Sequence, residues 1–232
     1  MKYLLTSAGI KNDSIRNELV RQLGKPIEES SALLVSTAIY PFNVGPHMAH
    51  KVASGQAKSP LGELGWRSLG LLELTALPTI KEEAWLPVLE DTDALLVFGG
   101  DVLYLAYWMK KSGLANRLPH LQNLVYVGVS AGSIVTTAFN PDFESNLETI
   151  PSGNDRASMG NRALGFHDFA LCVHLDHPDP MFEDSSSANV EKWASSIPVP
   201  TYAIDDQSAL SVVNGRVEVI TEGHWQLFNP KG

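Results

Sequence analysis

Gly128-Val129-Ser130-Ala131-Gly132 is a Gly-x-Ser-x-Gly match, placed where the apolar run "LVYVGV" (124–129) gives way to a second one. Small residues on both sides of a serine allow a tight, strained turn that lifts the hydroxyl above the edge of a sheet. A helix opening after such a turn aims its N-terminus, with free N–H groups and a favourable dipole, at the same spot. The chemistry implied is acyl transfer, with a hydroxyl nucleophile beside a place for an oxyanion. The same residues also suit a plainer arrangement, with Ser130 as a helix cap and the glycines permitting close packing.

Gly99-Gly100-Asp101 ends the preceding apolar run, so a parallel sheet sets it beside Ser130 on one carboxyl edge. Backbone N–H groups of Gly100 and Ala131 can then hold one oxygen between them. A helix start capped by Asp101 accounts for these residues without chemistry, and the two readings are compatible. A serine hydroxyl also requires a base, usually His, itself oriented by a carboxylate. Of the seven histidines, His174 and His177 follow the apolar run that comes after the serine. Cys172 shares a strand face with His174 and offers a thiol, although a small buried strand residue is the better reading. His174-x-Asp176-His177 contains zinc-ligating residue types, but no second ligand group accompanies it, so neither a metal nor another cofactor is expected.

The elements that must position these groups alternate in type. Apolar runs at 2–8, 32–38, 71–77, 94–100, 124–129, 169–175 and 200–205 read as strands. Helical spacing follows Asn12 and Asp13 up to Gly24, and recurs at 81–91 (bent at Pro87), at 102–113, after Ser130, and at 186–196. A Gly/Pro-rich stretch from 41 to 65 holds a helix or a mobile loop, and a polar stretch from 140 to 161 reads as a surface loop near a site. "ALSVVNGRVEVIT" is a hairpin with Asn214-Gly215 in a type I′ turn. Short continuous apolar strands alternating with helices predict an α/β fold over residues 1–232 as one domain, with a mostly parallel sheet covered by helices on both faces.

"LLVFGGDVLYL", "YVGVSAGSIV", "LCVHLDH" and "YAIDDQSALSVVNGRVEVI" together resemble the peptidase E and cyanophycinase group of serine peptidases. The resemblance implies a flavodoxin-like or class I glutamine amidotransferase-like fold. It implies Ser130 as nucleophile and His174, at the end of its strand, as base. The first motif usually carries Asn where this chain has Asp101. For the acid, the peptidase E branch points to Asp142, with Asp155 behind it, and the cyanophycinase branch to Asp206. Asp206 is preferred, because Ile204, Asp205, Ser208 and Ala209 around it also fit the pattern. Aspartyl dipeptidases of the group carry an Arg beyond the histidine segment, whereas this chain has no basic residue there before Lys192, so a preference for Asp side chains is not expected. Asp176, Asp179, Glu183 and Asp184 favour a positive group on the substrate if they border the pocket, and otherwise form a solvated acidic loop.

Bulk properties narrow the partners. A formal net charge of −9 with no local cluster of Lys and Arg argues against nucleic acid. One cysteine excludes an internal disulfide framework and fits a reducing compartment. The apolar stretch near the N-terminus is too short for a signal-peptide core, and the longest one, near 94–109, is broken by Asp101. A cytoplasmic protein with no membrane partner is expected, acting as a monomer or homodimer on a small peptide. The predicted activity is a metal-independent serine hydrolase of short peptides or isopeptide-like amides. A binding module that keeps the serine turn as an anion site, and an acyl or amido transferase, are the rival readings. His47 and His50, in "YPFNVGPHMAH", read as surface residues.

Overall fold

The structure is a computed structural model that describes residues 1–57, 60–141 and 163–230. Five strands run parallel: β1 (Lys2–Thr6), β2 (Ser31–Val35), β3 (Ser68–Leu71), β4 (Ala94–Val97) and β5 (Val125–Val129). Two antiparallel strands, β8 (Ser208–Val213) and β9 (Arg216–Thr221), complete a seven-stranded sheet of order β3-β2-β4-β5-β1-β8-β9. The apolar runs are continuous because both faces are covered. Leu5, Leu33, Val35, Leu95, Val97 and Tyr126 join one apolar cluster, while Leu4, Leu34, Leu96, Val125 and Val127, one residue out of phase, join the other.

Helix α1 (Asp13–Leu23) buries Ile15 and Leu19 against the second cluster. It starts where Asn12 Oδ1 accepts from Ile15 N at 3.0 Å and stops at Gly24, whose φ of 74° suits a residue without Cβ. Helix α2 (Gly45–Ala53) occupies part of the Gly/Pro-rich stretch. On the opposite face, α3 (Glu82–Glu90, containing Pro87) contributes Trp85 and Leu89, and α4 (Val102–Lys111) contributes Leu103, Leu105, Ala106 and Met109. Two single-turn helices follow, α5 (Leu114–Arg117) and α6 (Ala131–Ile134), the latter directly after Ser130.

A second, three-stranded sheet of order β10-β7-β6 is built from β6 (Ala170–Cys172), β7 (Thr201–Ile204) and β10 (Trp225–Phe228). Cys172, Leu175 and Ala203 form a small core there with Val190 of α7 (Ser187–Ala194). Strand β10 has no counterpart in the sequence reading.

Two expected strands are corrected. The strand expected at 71–77 is β3 at 68–71, an edge strand with Leu71 65% exposed. Leu72, Leu74 and Leu77 are apolar for another reason: they leave the sheet and join the cluster that holds Trp85 and Leu89. The strand expected at 169–175 pairs only over 170–172, because His174 takes a φ of 58° and turns the chain out of the ladder. The C-terminal hairpin has the expected form, with φ of 53° at Asn214 and 78° at Gly215. No helix among the described residues is long and apolar enough to cross a membrane.

Candidate active site

Strand β5 ends in a turn that places Ser130 at φ 51°, ψ −117°, a region that L-residues seldom occupy. The Ser130 amide holds the turn by donating to the carbonyls of Thr6 and Ser7, each at 3.1 Å. The flanking glycines are steric requirements. A Cβ at Gly128 would lie 2.7 Å from the Gly132 backbone, and one at Gly132 would lie 2.0 Å from the Val97 carbonyl oxygen. The Ser130 side chain does not cap α6, so the simple cap explanation of this serine fails.

His174 reaches the turn from just beyond β6. Its Nε2 lies 3.2 Å from Ser130 Oγ, and its Nδ1 lies 2.6 Å from Asp206 Oδ1. Asp206 stands in the turn between β7 and β8 and accepts a second hydrogen bond from Ser7 Oγ at 2.7 Å. His177 approaches the other carboxylate oxygen, with Nε2 3.5 Å from Oδ2. Burial alone would raise the Asp206 carboxyl, but the hydrogen bond and charge of His174, the Ser7 hydroxyl and the charge of His177 more than offset it. The carboxyl is held below its usual range. The neighbouring Asp205 is committed elsewhere, accepting from Ser208 Oγ at 2.5 Å and from the His224 amide at 2.8 Å. Asp142 and Asp155 lie outside the described residues.

Gly99 and Gly100 close in on the serine from β4. A Cβ on Gly99 would meet the Ser130 Cβ at 3.1 Å, and Gly100, at φ 140°, leaves no room for one against the Ala38 carbonyl at 2.2 Å. Asp101 is 4% exposed and caps α4, its Oδ1 accepting from Tyr104 N at 2.8 Å. Gly100, Asp101, Ser130, Ala131 and His174 line one cavity. The cap reading of Asp101 and a place at the site therefore hold together. Ala131 opens a helix, so its N–H has no intrahelical acceptor. Cys172 touches the same cavity but is 2% exposed, and burial pushes its thiol far above the usual range, away from the reactive thiolate.

The acidic run does not border this cavity. Asp176 holds the start of α7 by accepting from Ser187 N and Oγ at 2.7 and 2.5 Å, and Asp179 accepts from Met181 N at 3.0 Å. Glu183 and Asp184 are exposed, and Phe182 and Ser185 face the cavity in their place. Of the two readings of the run, the solvated loop is the one that fits: Asp176 and Asp179 serve local turns, and Glu183 and Asp184 face solvent. His47 and His50 are exposed.

The model of Peptidase family S51 matches residues 4–220, a span that contains every residue of this arrangement. The chain belongs to peptidase family S51. Its fold is shared with the crystal structure of a candidate peptidase E protein from Listeria monocytogenes EGD-e, at 18% identity over 96% of this chain and 98% of that one, with a TM-score of 0.62. It is shared also with a peptidase from an acI-B1 Actinobacterium, at 16% identity over 98% and 86% of the two chains, with a TM-score of 0.57. No curated protein matches the sequence.

Phe182 and Ser7, neighbours of the site in this S51 chain, escape a reading by motif, and His177, singled out with His174 from the sequence, lies beside the acid. Phe182 stacks on His174, with ring centroids 4.2 Å apart, and meets His177 edge-on at 4.9 Å. His177 accepts from the Asp179 amide through Nδ1 at 3.0 Å, so the proton of its neutral ring sits on Nε2, toward Asp206. Ser7 touches both His174 and Asp206. Its only signal is the change from apolar to small hydroxyl residues at the end of β1, the sheet edge where parallel strands gather ligands.

Proposed function

We propose that this S51 chain is a serine-type peptidase of the cytoplasm that hydrolyses short peptides, or isopeptide-like amides, without a cofactor. One observation carries the reading: His174 stands between hydroxyl and carboxylate, 3.2 Å from Ser130 Oγ and 2.6 Å from Asp206 Oδ1. Ser130 Oγ attacks the scissile carbonyl while His174 Nε2 takes its proton. Asp206 keeps the other ring nitrogen protonated and stabilises the imidazolium that forms. The amides of Gly100 and Ala131 receive the oxyanion, each such donor contributing about 3 kcal/mol in comparable sites. His174 then returns the proton to the leaving amine, and water repeats the sequence on the acyl-enzyme.

The substrate end of the cavity supports a neutral preference. Val102, Ile134, Val173 and Phe182 give it apolar walls, and no Lys or Arg stands among the described lining residues to meet an acidic side chain. A dipeptide panel assayed with wild type and Ser130→Ala tests the proposal. Turnover of neutral X-Y dipeptides above Asp-X is expected, with a loss of at least ~10³-fold in kcat for the variant. Undiminished turnover by Ser130→Ala removes the nucleophile assignment. Acyl transfer to an added amine in place of free acid would mark a transferase.

A further inference from the structure

Ser7 is wholly buried at the carboxyl end of β1 and makes more contacts to the site than any motif anticipates. We propose that Ser7 is a positioning residue that fixes the tautomer of His174 and the orientation of the Asp206 carboxylate, an inference that rests on the reading of Ser130, His174 and Asp206 as the catalytic set.

Proton counting carries the argument. The main-chain N–H of His174 can only donate, and it donates to Ser7 Oγ at 2.9 Å. The hydroxyl has one proton of its own, and Asp206 Oδ1, 2.7 Å away, is a carboxylate that can only accept it. The contact between Ser7 Oγ and His174 Nδ1, at 3.3 Å, is then left without a proton from serine. Nδ1 must bring its own hydrogen, which it shares with Asp206 Oδ1 at 2.6 Å. Turning the Ser7 proton toward Nδ1 instead would set Asp206 Oδ1 against two lone pairs at 2.6 and 2.7 Å, which is repulsive. With Nδ1 protonated, the neutral ring presents the bare Nε2 lone pair to Ser130 Oγ, as a general base must.

The same residue supports the backbone of the site. Its bond to the His174 amide pins a residue held at φ 58°, and its carbonyl accepts from the amide of Ser130 at 3.1 Å. Nucleophile, base and acid, drawn from three separate stretches of chain, thus share one serine at the end of β1. The groups that face the Asp206 carboxylate are His174, His177 and Ser7, while Asp205 beside it turns to Ser208 and His224.

The test uses the full chain with Ser7→Ala, Ser7→Cys, Asp206→Asn and the Ser7→Ala/Asp206→Asn double variant. Ser7→Ala is expected to lower kcat on a turned-over dipeptide about 10- to 100-fold, the equivalent of one hydrogen bond to a charged group, with KM changed less than about threefold. The acid limb of its kcat profile moves to higher pH, because Asp206 has lost a donor. Ser7→Cys, which keeps a weak donor, loses less in the same direction and carries the test if the alanine variant does not fold. On the Asp206→Asn background Ser7→Ala costs less than about threefold, since the group it acts through is gone. Nuclear magnetic resonance of histidine-labelled wild type should show a far-downfield His174 Nδ1 proton that weakens in Ser7→Ala. If wild type turns peptides over and Ser7→Ala leaves the acid limb and the ring proton unchanged, or its cost simply adds to that of Asp206→Asn, the proposal is overturned. If wild type cleaves no peptide while the ring proton still depends on Ser7, the positioning stands and the peptidase reading falls.

Discussion

Asp206 is a carboxylate that its surroundings keep ionised although much of it is withdrawn from water. Burial works against the charge, and the donors on it (His174, Ser7 and, at longer range, His177) work for it and prevail. A carboxylate held in this way can steady an imidazolium without taking its proton. Asp206→Asn preserves the shape but turns an amide toward Nδ1, favouring the tautomer whose Nε2 carries hydrogen and cannot accept one from Ser130. A fall of roughly 10³- to 10⁴-fold in kcat near neutral pH is expected, with the fold intact by circular dichroism. A smaller loss, of less than about tenfold, would move the orienting role to another group. Ser130, His174, Gly99, Gly100, Asp101 and Ala131 stood out because each lies at a strand end with a telling residue beside it, and the fold draws them to one cavity or against the serine turn, whereas Asp206, brought out by the family resemblance, joins them through His174. Ser7 and Phe182 were not legible. Their contacts depend on chain segments far away in sequence, and neither a lone buried serine nor a lone loop aromatic has a local signature.

At the scale of elements, the strand, turn and helix around Ser130 work only at very close range. Gly132 lets α6 approach β4 so nearly that a methyl group there would overlap the Val97 carbonyl. Gly24, by contrast, closes α1 in open space at a positive φ. The two glycines therefore fail in different ways. Gly132→Ala must shift the helix and should cost about 3 kcal/mol, which for a chain of this size lowers the melting temperature by roughly 6–12 °C and removes activity with it. Gly24→Ala, which meets only backbone strain, should cost about 1 kcal/mol and leave turnover unchanged. Differential scanning calorimetry with a peptide assay separates them, and equal costs would contradict the steric account. Strands β4 and β5 could be read from sequence because both faces of each are buried, so every residue is apolar. Strand β3, an exposed edge, offered no such pattern, and the leucines that follow it imitate a strand while packing as a loop.

Taken whole, the molecule keeps its chemistry at the carboxyl edge of the parallel strands and a different ionisable group near the opposite edge. There His167 stacks on Phe169, with centroids 5.2 Å apart, and meets the ring of Tyr3, near the start of β1, edge-on at 4.6 Å. Its Nε2 is buried with no hydrogen-bond partner among the described residues. Loss of hydration lowers its pKa to about 4, against a smaller upward pull from Asp168. The folded chain thus keeps His167 neutral down to about pH 4, whereas the unfolded chain protonates it near 6.5. Between those values the unfolded state binds more protons, so stability falls as the pH falls, by up to about 3 kcal/mol across the window. Asp206 adds to the loss only at lower pH: its depressed carboxyl stabilises the fold above the ordinary value of 3.8, and that contribution goes as the pH drops through the folded value. Urea denaturation at pH 7.5, 6 and 5 checks the sign. Wild type should weaken steadily over this range, and His167→Phe, which keeps the aromatic stacking and removes the titration, should flatten the profile while leaving turnover at neutral pH in place. A variant with the same slope as wild type would show that acid sensitivity between pH 7.5 and 5 arises elsewhere in the fold.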